Sequence, residues 1–599
     1  MSSPAPEDEV LGRAYDGRLM RRIWAIARPH RGLILLSFGI FPLIAVLELL
    51  QPYLVKRAID DFILTRDWGG LGGVALLFAI TLAVLYGLRV AQAYVMQLTG
   101  QRVIYDLRQA LFAHLQTLDA RFFDRNPVGR LMTRVLNDVE AISELFTSGV
   151  VTVLGDVLTL GGVVAIMFAM NWKLALVSAS LGPVLAAATL YFRMRARESY
   201  RRVRTRLARL NAFLQESLSG MSVIQLFARE ALEYRTFAGL NADLRRAQFR
   251  STFYDASFYA SVEALGSAAV ALLLWYGGGE VVRGALTFGG LVAFLEYMGR
   301  AFLPIRDLGA KYTVMQAAMV SAERIFGLLD VDPAITSPAS GSVEPPAVSV
   351  SSAAAAVEFR RVWFAYDDEE WVLRDCSFTV ARGEQVALVG PTGEGKTTVV
   401  RLMTRAYDVT RGQVLIEGRD VREWDLTALR RHVGLVPQEV FLWRGTVEDN
   451  LRLGRDGAVS AAELERAVAA ANARRMIDAL PGGLAALVRE RGVNLSQGQR
   501  QLLAIARALI YNPRVLALDE ATSSVDPESE ALIRSGMARL IEGRTSVIVA
   551  HRLSTIQNAD RILVLHRGAV REAGRHAELV AAGGLYTRLY ELQFGAAGR

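Results

Sequence analysis

At 599 residues the chain is too long for one hydrophobic core, so at least two domains are expected. Apolar residues make up 52% and the mean hydropathy is +0.26, which excludes a wholly soluble protein of ordinary composition and points to a membrane part. The net charge of +8 is compatible with nucleic-acid binding, but the arginines gather in loops between apolar stretches, the bias of a membrane protein whose basic loops stay inside; no nucleic acid partner is expected. Lys56, Lys173, Lys311 and Lys396 are its lysines, and that arginine excess resembles base-composition bias. Cys376 is the only cysteine, which excludes an intrachain disulfide and a zinc–cysteine cluster; its setting "VLRDCSFTV" reads as a buried strand.

In chain order, "MSSPAPEDEV" is polar and acidic, without the basic start of a cleavable signal, so insertion is expected to rely on the first spanning helix. "GRLMRRIWAIARPHR" is short, basic and amphipathic, and predicts a helix on the inner membrane surface; residues 1–31 are tail and interfacial helix. Six stretches are then apolar enough to span a bilayer at about 20 residues each. They are Gly32–Val55, Leu71–Leu98, Phe146–Met170, Trp172–Phe192, Tyr254–Tyr276 and Leu286–Phe302, the last being short and holding Glu296 and Arg300. Glu48, Arg89, Asp156, Glu263 and Glu296 lie in or near these windows, as packing pairs, span-end charges or contacts to a cationic or amphipathic substrate.

The loops Gln97–Leu145 and Arg193–Asp255 are long and arginine-rich, which places them and both termini in the cytoplasm. Each reads as a helical hairpin, turning at "NPVG" (Asn126–Gly129) and "LSGM" (Leu218–Met221). Helices of about 25 residues, at ~1.5 Å per residue, carry each turn roughly 35–40 Å below the bilayer, within reach of a separate cytoplasmic domain. Residues 32–328 are therefore a six-span helical membrane domain with long cytoplasmic extensions. Pro, Ser and Ala dominate 329–356, a linker, and strands alternate with helices in 357–599, an α/β domain.

That last domain holds the chemistry. "VALVGPTGEGKTTVVRLM" reads as strand, glycine-rich loop and helix, with Gly390, Gly395, Lys396 and Thr397 at phosphate-loop spacing. Backbone N–H groups ring the phosphates, Lys396 neutralises the β/γ oxygens and Thr397 ligates Mg²⁺. In "RVLALDEATSSVD" a buried strand ends at Asp519, whose carboxylate emerges beside the metal, and Glu520 is placed to polarise the attacking water. "RGVNLSQGQRQ" is a helix entry, with Ser496 as N-cap and Gly498 leaving the backbone bare, suited to an anion.

Taken together, Gly390–Thr398, Gln438, "LSQGQ", "LALDE", "SSVD" and His551 resemble an ATP-binding-cassette (ABC) ATPase. With the six preceding spans, "FFDRNPVGRLMTRVLNDVE" and "LQESLSGMSVIQLFARE", the chain resembles the bacterial lipid-flippase and multidrug-exporter family, half-transporters with the ATPase fused C-terminally. The resemblance implies that Tyr366 stacks on adenine and that Gly390, Pro391, Thr392, Gly393, Glu394, Gly395, Lys396, Thr397 and Thr398 hold the phosphates. It implies that Gln438 senses Mg²⁺ alongside Thr397 and Asp519, that His551 contacts the γ-phosphate, and that Asp526 links the two sites of a dimer. It further implies that Ser496, Gln497, Gly498 and Gln499 face ATP held by a second, identical or different, subunit. Gln497 departs from the glycine commonest there, and Arg489 replaces a residue usually small; neither removes a chemical group. Phe122–Gly129 and Gly220–Phe227 match the turns that dock on ATPase domains. The implied activity is ATP-driven export or flipping of amphipathic small molecules, drugs or lipids across the bacterial cytoplasmic membrane. An exporter-fold siderophore importer and an ATP-gated channel or regulator are the rival readings; a peptide exporter with an N-terminal peptidase lacks the cysteine it needs.

Overall fold

The computed structural model describes residues 16–338, 355–367, 370–455, 459–519, 527–550 and 553–594. They form two compact units, one of residues up to His114 with Gly129–Val331, the other of Leu115–Val128 with Asp332 onward.

The first unit is helical. Its opening helix Gly17–Ala27 is capped by Asp16, whose carboxylate accepts from Arg18 N at 2.7 Å. Leu19, Ile23 and Ala27, spaced by four, are buried on one face. Arg22 of the same helix makes paired 2.7 Å bonds to Asp330 and lies over the Phe326 ring, tying the amphipathic helix to the end of Phe288–Leu329. The Arg22 guanidinium holds the Asp330 carboxyl below the usual carboxylate range.

Among the described residues, five helical stretches are long and apolar enough to cross a membrane: Gly17–Ile63, Trp68–Thr117, Val128–Met170, Trp172–Ser219 and Glu230–Val282. The sixth expected span falls within the helix Phe288–Leu329, which is not among those five. Its polar groups are used against the first long helix: Tyr297 OH donates to Leu49 O at 2.6 Å, and Arg300 donates to Glu48 O and to Gln51 Oε1. Ala293, Phe294 and Tyr297 are fully buried there. Two of the intramembrane carboxylates are packing pairs, Glu48 with Arg89 and Asp156 with Lys311.

The hairpin helices run well past a membrane. Trp68–Thr117 has 50 residues and Glu230–Val282 has 53, or about 75–80 Å each at ~1.5 Å per residue, against a hydrocarbon core of ~30 Å. The second hairpin turns at Gly220, inside the expected segment, and continues as the short helix Met221–Leu226. The first breaks twice: at Leu118–Asp119, where Asp119 caps a short helix Ala120–Arg125 by accepting from Phe122 N at 3.1 Å, and at Asn126–Pro127, inside the expected segment, before the helix Val128–Thr133.

The second unit is built on strands β1 (Val357–Ala365), β2 (Trp371–Val380), β3 (Gln385–Val389), β4 (Arg411–Ile416), β5 (Arg419–Asp420) and β6 (Val433–Val436). There follow β7 (Gly445–Thr446), β8 (Leu487–Val488), β9 (Val515–Asp519), β10 (Thr545–Val549), β11 (Arg561–His566) and β12 (Ala569–Gly574). A six-stranded sheet has the order β12-β11-β3-β10-β9-β6, parallel except for β12. An antiparallel sheet has the order β2-β1-β4-β5. The central strands are unbroken apolar runs because both faces are covered: Val386, Leu388, Ala517, Val547 and Val549 are all fully buried. Cys376 on β2 is buried as expected, and burial pushes its thiol up to about 12, so it is no nucleophile.

Two pieces outside 357–599 belong to this unit. Thr336 O accepts from Arg405, and Ser337 Oγ accepts from Leu426 N at the start of the helix Leu426–His432. The turn of the first hairpin is the other piece. Ala120 packs against the main core, Arg121 donates to Ala365 O, Arg125 pairs with Asp367 at 2.8 Å, and Tyr407 OH donates to Asp124. Of the expected linker, residues 339–354 lie outside the described residues.

Candidate functional site

The site grows from the C-terminal edge of the parallel sheet, where open α/β sheets bind ligands. β3 ends at Val389, the chain turns through Gly390–Gly395, and the helix Lys396–Met403 begins. Gly395 caps that helix at φ +89°, with no side-chain cap. A Cβ at Gly395 would stand 2.7 Å from Leu373 Cδ2, and one at Gly390 would stand 2.4 Å from Leu565 O. Only glycine fits such close approaches. Pro391, Thr392, Gly393 and Glu394 complete the loop, with Thr392 and Gly393 open to solvent.

Lys396 is buried, its Nζ donating to Gly390 O at 2.7 Å and Pro391 O at 2.8 Å across the loop it follows. Burial holds its ammonium below the usual lysine range, while the charges of Glu394 and Asp519 act in the opposite sense. A partly desolvated cation at the mouth of a ring of amides is a strong anchor for a polyphosphate. Thr397 Oγ1 donates to Asp519 Oδ1 at 3.4 Å, and Asp519 is buried at the end of β9. A hydroxyl and a carboxylate side by side are hard oxygen donors. Among the described residues no group of three or more His, Cys, Asp or Glu could hold a metal unaided, so a cation here would need phosphate or water oxygens as well.

Thr398 Oγ1 lies 3.0 Å from Tyr366 OH. The Tyr366 ring stands edge-on to Phe364 and Tyr407, with centroids 4.9 and 5.2 Å away. Tyr366 thus sits next to the docked first turn, since Ala365 and Asp367 on either side of it receive Arg121 and Arg125. Burial and the neighbouring Asp124 carboxylate both push the Tyr407 hydroxyl up, so it stays a donor. Sequence separation hid these partners: Asp124 and Tyr407 are 283 residues apart.

The remaining expected residues divide. Gln438 follows β6, whose Val436 pairs with Leu518 on β9, so it leaves the same sheet edge as Asp519, with its side chain exposed. Ser496 caps the helix Gln497–Tyr511 in a reciprocal box: Ser496 Oγ accepts from Gln499 N at 3.2 Å and Gln499 Oε1 accepts from Ser496 N at 2.9 Å. Ser496 is exposed and Gly498 buried. Glu520, Asp526 and His551 lie outside the described residues. Sequence reasoning overlooked the contact of Glu394 with His566 at 3.2 Å, although a carboxylate amid a phosphate loop was a visible oddity.

Comparison with known proteins follows the same division of the chain. Residues 34–304 match the family model of the ABC transporter transmembrane region, and residues 373–523 match the family model described as ABC transporter. The chain is 37% identical to an uncharacterized ABC transporter ATP-binding protein, YknV, of Bacillus subtilis, over 98% of this chain and 97% of the relative. It is 37% identical to an ATP-dependent lipid A-core flippase of Syntrophus aciditrophicus, over 97% of this chain and 96% of the relative. A putative multidrug export ATP-binding/permease protein, YgaD, of Bacillus subtilis is 36% identical, over 96% of this chain and 99% of its own.

Proposed function

The chain belongs to the ABC transporter family, a multi-pass membrane protein whose ATP hydrolysis is coupled to transport, and from that premise we propose that it exports or flips amphipathic small molecules, drugs or lipids across the bacterial inner membrane. The names of the flippase and multidrug relatives support this substrate class. The observation that carries the reading is the phosphate loop with buried Lys396 beside Asp519, on the same polypeptide as the apolar helices.

In this reading Gly390–Thr398 bind the triphosphate, with Lys396 on the β/γ oxygens and Tyr366 against adenine. Thr397, Asp519 and Gln438 hold Mg²⁺, which when bound offsets the charge of the phosphates. Glu520 orients and deprotonates the attacking water, and His551 contacts the γ-phosphate. Ser496, Gln497, Gly498 and Gln499 meet the ATP of a second half-transporter, and Asp526 links the two sites. A helix start that offers an exposed Ser496 in a self-made cap supports this division of labour. The docked first turn carries the change at Tyr366 toward the membrane helices; the second turn, with Leu226 82% and Phe227 73% exposed, is the surface we assign to the partner subunit. Residues 32–328 are the transport domain and 357–599 the ATPase.

The test is Glu520→Gln in the full-length protein in nanodiscs. It is expected to retain ATP binding and to lose steady-state turnover. Undiminished hydrolysis as a homodimer refutes the water-activating role, and uptake into vesicles of known orientation fixes the direction of transport.

A further inference from the structure

We propose that His566 sets the affinity of the site for ATP by holding the Glu394 carboxylate out of the phosphate cradle; it is a positioning residue acting through Glu394. The inference rests on the reading of Gly390–Thr398 as that cradle.

Glu394 is electrostatically out of place. The loop gathers amide N–H groups and the Lys396 ammonium to hold an anion, and a carboxylate among them repels the same anion. Its charge already reaches Lys396, where it opposes the effect of burial. Gly393 and Gly395 flank it at φ +90° and +89°, so the backbone is left-handed on both sides of it.

The receiver is the hairpin turn between β11 and β12. Glu394 Oε1 lies 3.2 Å from His566 Nδ1, and Oε2 accepts from Gly568 N at 3.3 Å. The imidazole contact lacks the alignment of a hydrogen bond, so it is electrostatic, and it is attractive only with the proton on Nδ1. Glu394 is left 17% exposed by this seat. The seat itself is anchored. Gly568 has φ +74°, its carbonyl accepts from Arg374 N at 2.9 Å, and a Cβ there would meet Val372 O at 2.6 Å. Val372 also borders Gly395, and Leu565 on β11 borders Gly390. Receiver and cradle therefore share walls, and the carboxylate is parked against a fixed surface. Without the imidazole, one long N–H contact is left to restrain it, and the nearest strong attractor is Lys396, where the phosphates go.

The experiment is a double-mutant cycle on steady-state ATP hydrolysis by the full-length protein in nanodiscs. His566→Ala is expected to raise KM for ATP roughly three- to tenfold with kcat within about twofold. In a Glu394→Gln background the same substitution is expected to raise KM less than about twofold, because the charge to be restrained is gone. His566→Arg, which keeps an N–H donor facing Glu394, is expected to stay near the parent KM. An unchanged KM in His566→Ala, or an equal rise in both backgrounds, overturns the proposal; the second result assigns His566 to packing of the turn. Should His566→Ala fail to fold, His566→Gln and His566→Arg are compared instead, and equal KM values overturn it. Lys396→Ala tests the cradle separately: ATP binding that survives it defeats the cradle reading whatever the cycle gives.

Discussion

Two helix starts in the ATPase unit, at Lys396 and at Gln497, answer the same electrostatic problem in opposite ways. Each leaves amide N–H groups with no partner inside the helix and a positive dipole end. At Lys396 nothing caps them: Gly395 has no side chain, and the buried ammonium and buried Asp519 stand beside them. At Gln497 the chain caps itself, Ser496 and Gln499 exchanging bonds, with Ser496 facing solvent. One end is incomplete until an anion arrives. The other caps itself and keeps an exposed hydroxyl to offer an anion. Under the proposed function these are one primary site and one surface complementary to a second subunit's nucleotide.

The comparison can be broken by substitutions of graded size. Lys396→Ala removes the cation that distinguishes the first end, and hydrolysis should fall by about 100-fold or more, measured as phosphate release. Gly395→Ala keeps the charge but puts a methyl at φ +89° against Leu373; ATP affinity should fall about tenfold, read by titration with a fluorescent nucleotide. Ser496→Ala removes the self-made cap, and the unfolding midpoint should drop by a few degrees for a cost of about 1 kcal/mol. If the second end also meets a partner's phosphate, hydrolysis falls further than that stability loss explains. A pure stability effect would reduce it to an ordinary helix cap.

Much of this was legible because the signals are local. The run "VALVGPTGEGKTT" specifies strand, turn and helix within a few residues, and Ser496 with Gln499 specifies a cap by spacing alone. The two hairpins were readable from long proline-poor stretches broken by "LSGM" and "NPVG", and the first has a further break at Leu118–Asp119, where the Asp119 cap takes over from composition. What local signals could not carry was pairing at a distance. The order of the sheet puts β3 between β10 and β11, which no periodicity encodes. The sixth span is short and charged by sequence, and the partners of Tyr297 and Arg300 on the first long helix are a fact of packing. Likewise Glu394 and His566 meet only because β11 lies against β3.

The participation of residues before Val357 in the ATPase core bears on how that domain can be cut out and studied. A fragment begun at the first strand would lack the Ser337 hydroxyl at the head of Leu426–His432 and the Thr336 carbonyl beneath Arg405. Even one begun at Asp332 would miss Ala120, leaving a dent in the core and Tyr407 facing water in place of Asp124. Kinetics from a severed cassette thus describe a domain with part of its core missing, and a synthetic peptide of residues 115–128 added back is the simplest way to learn what that part contributes.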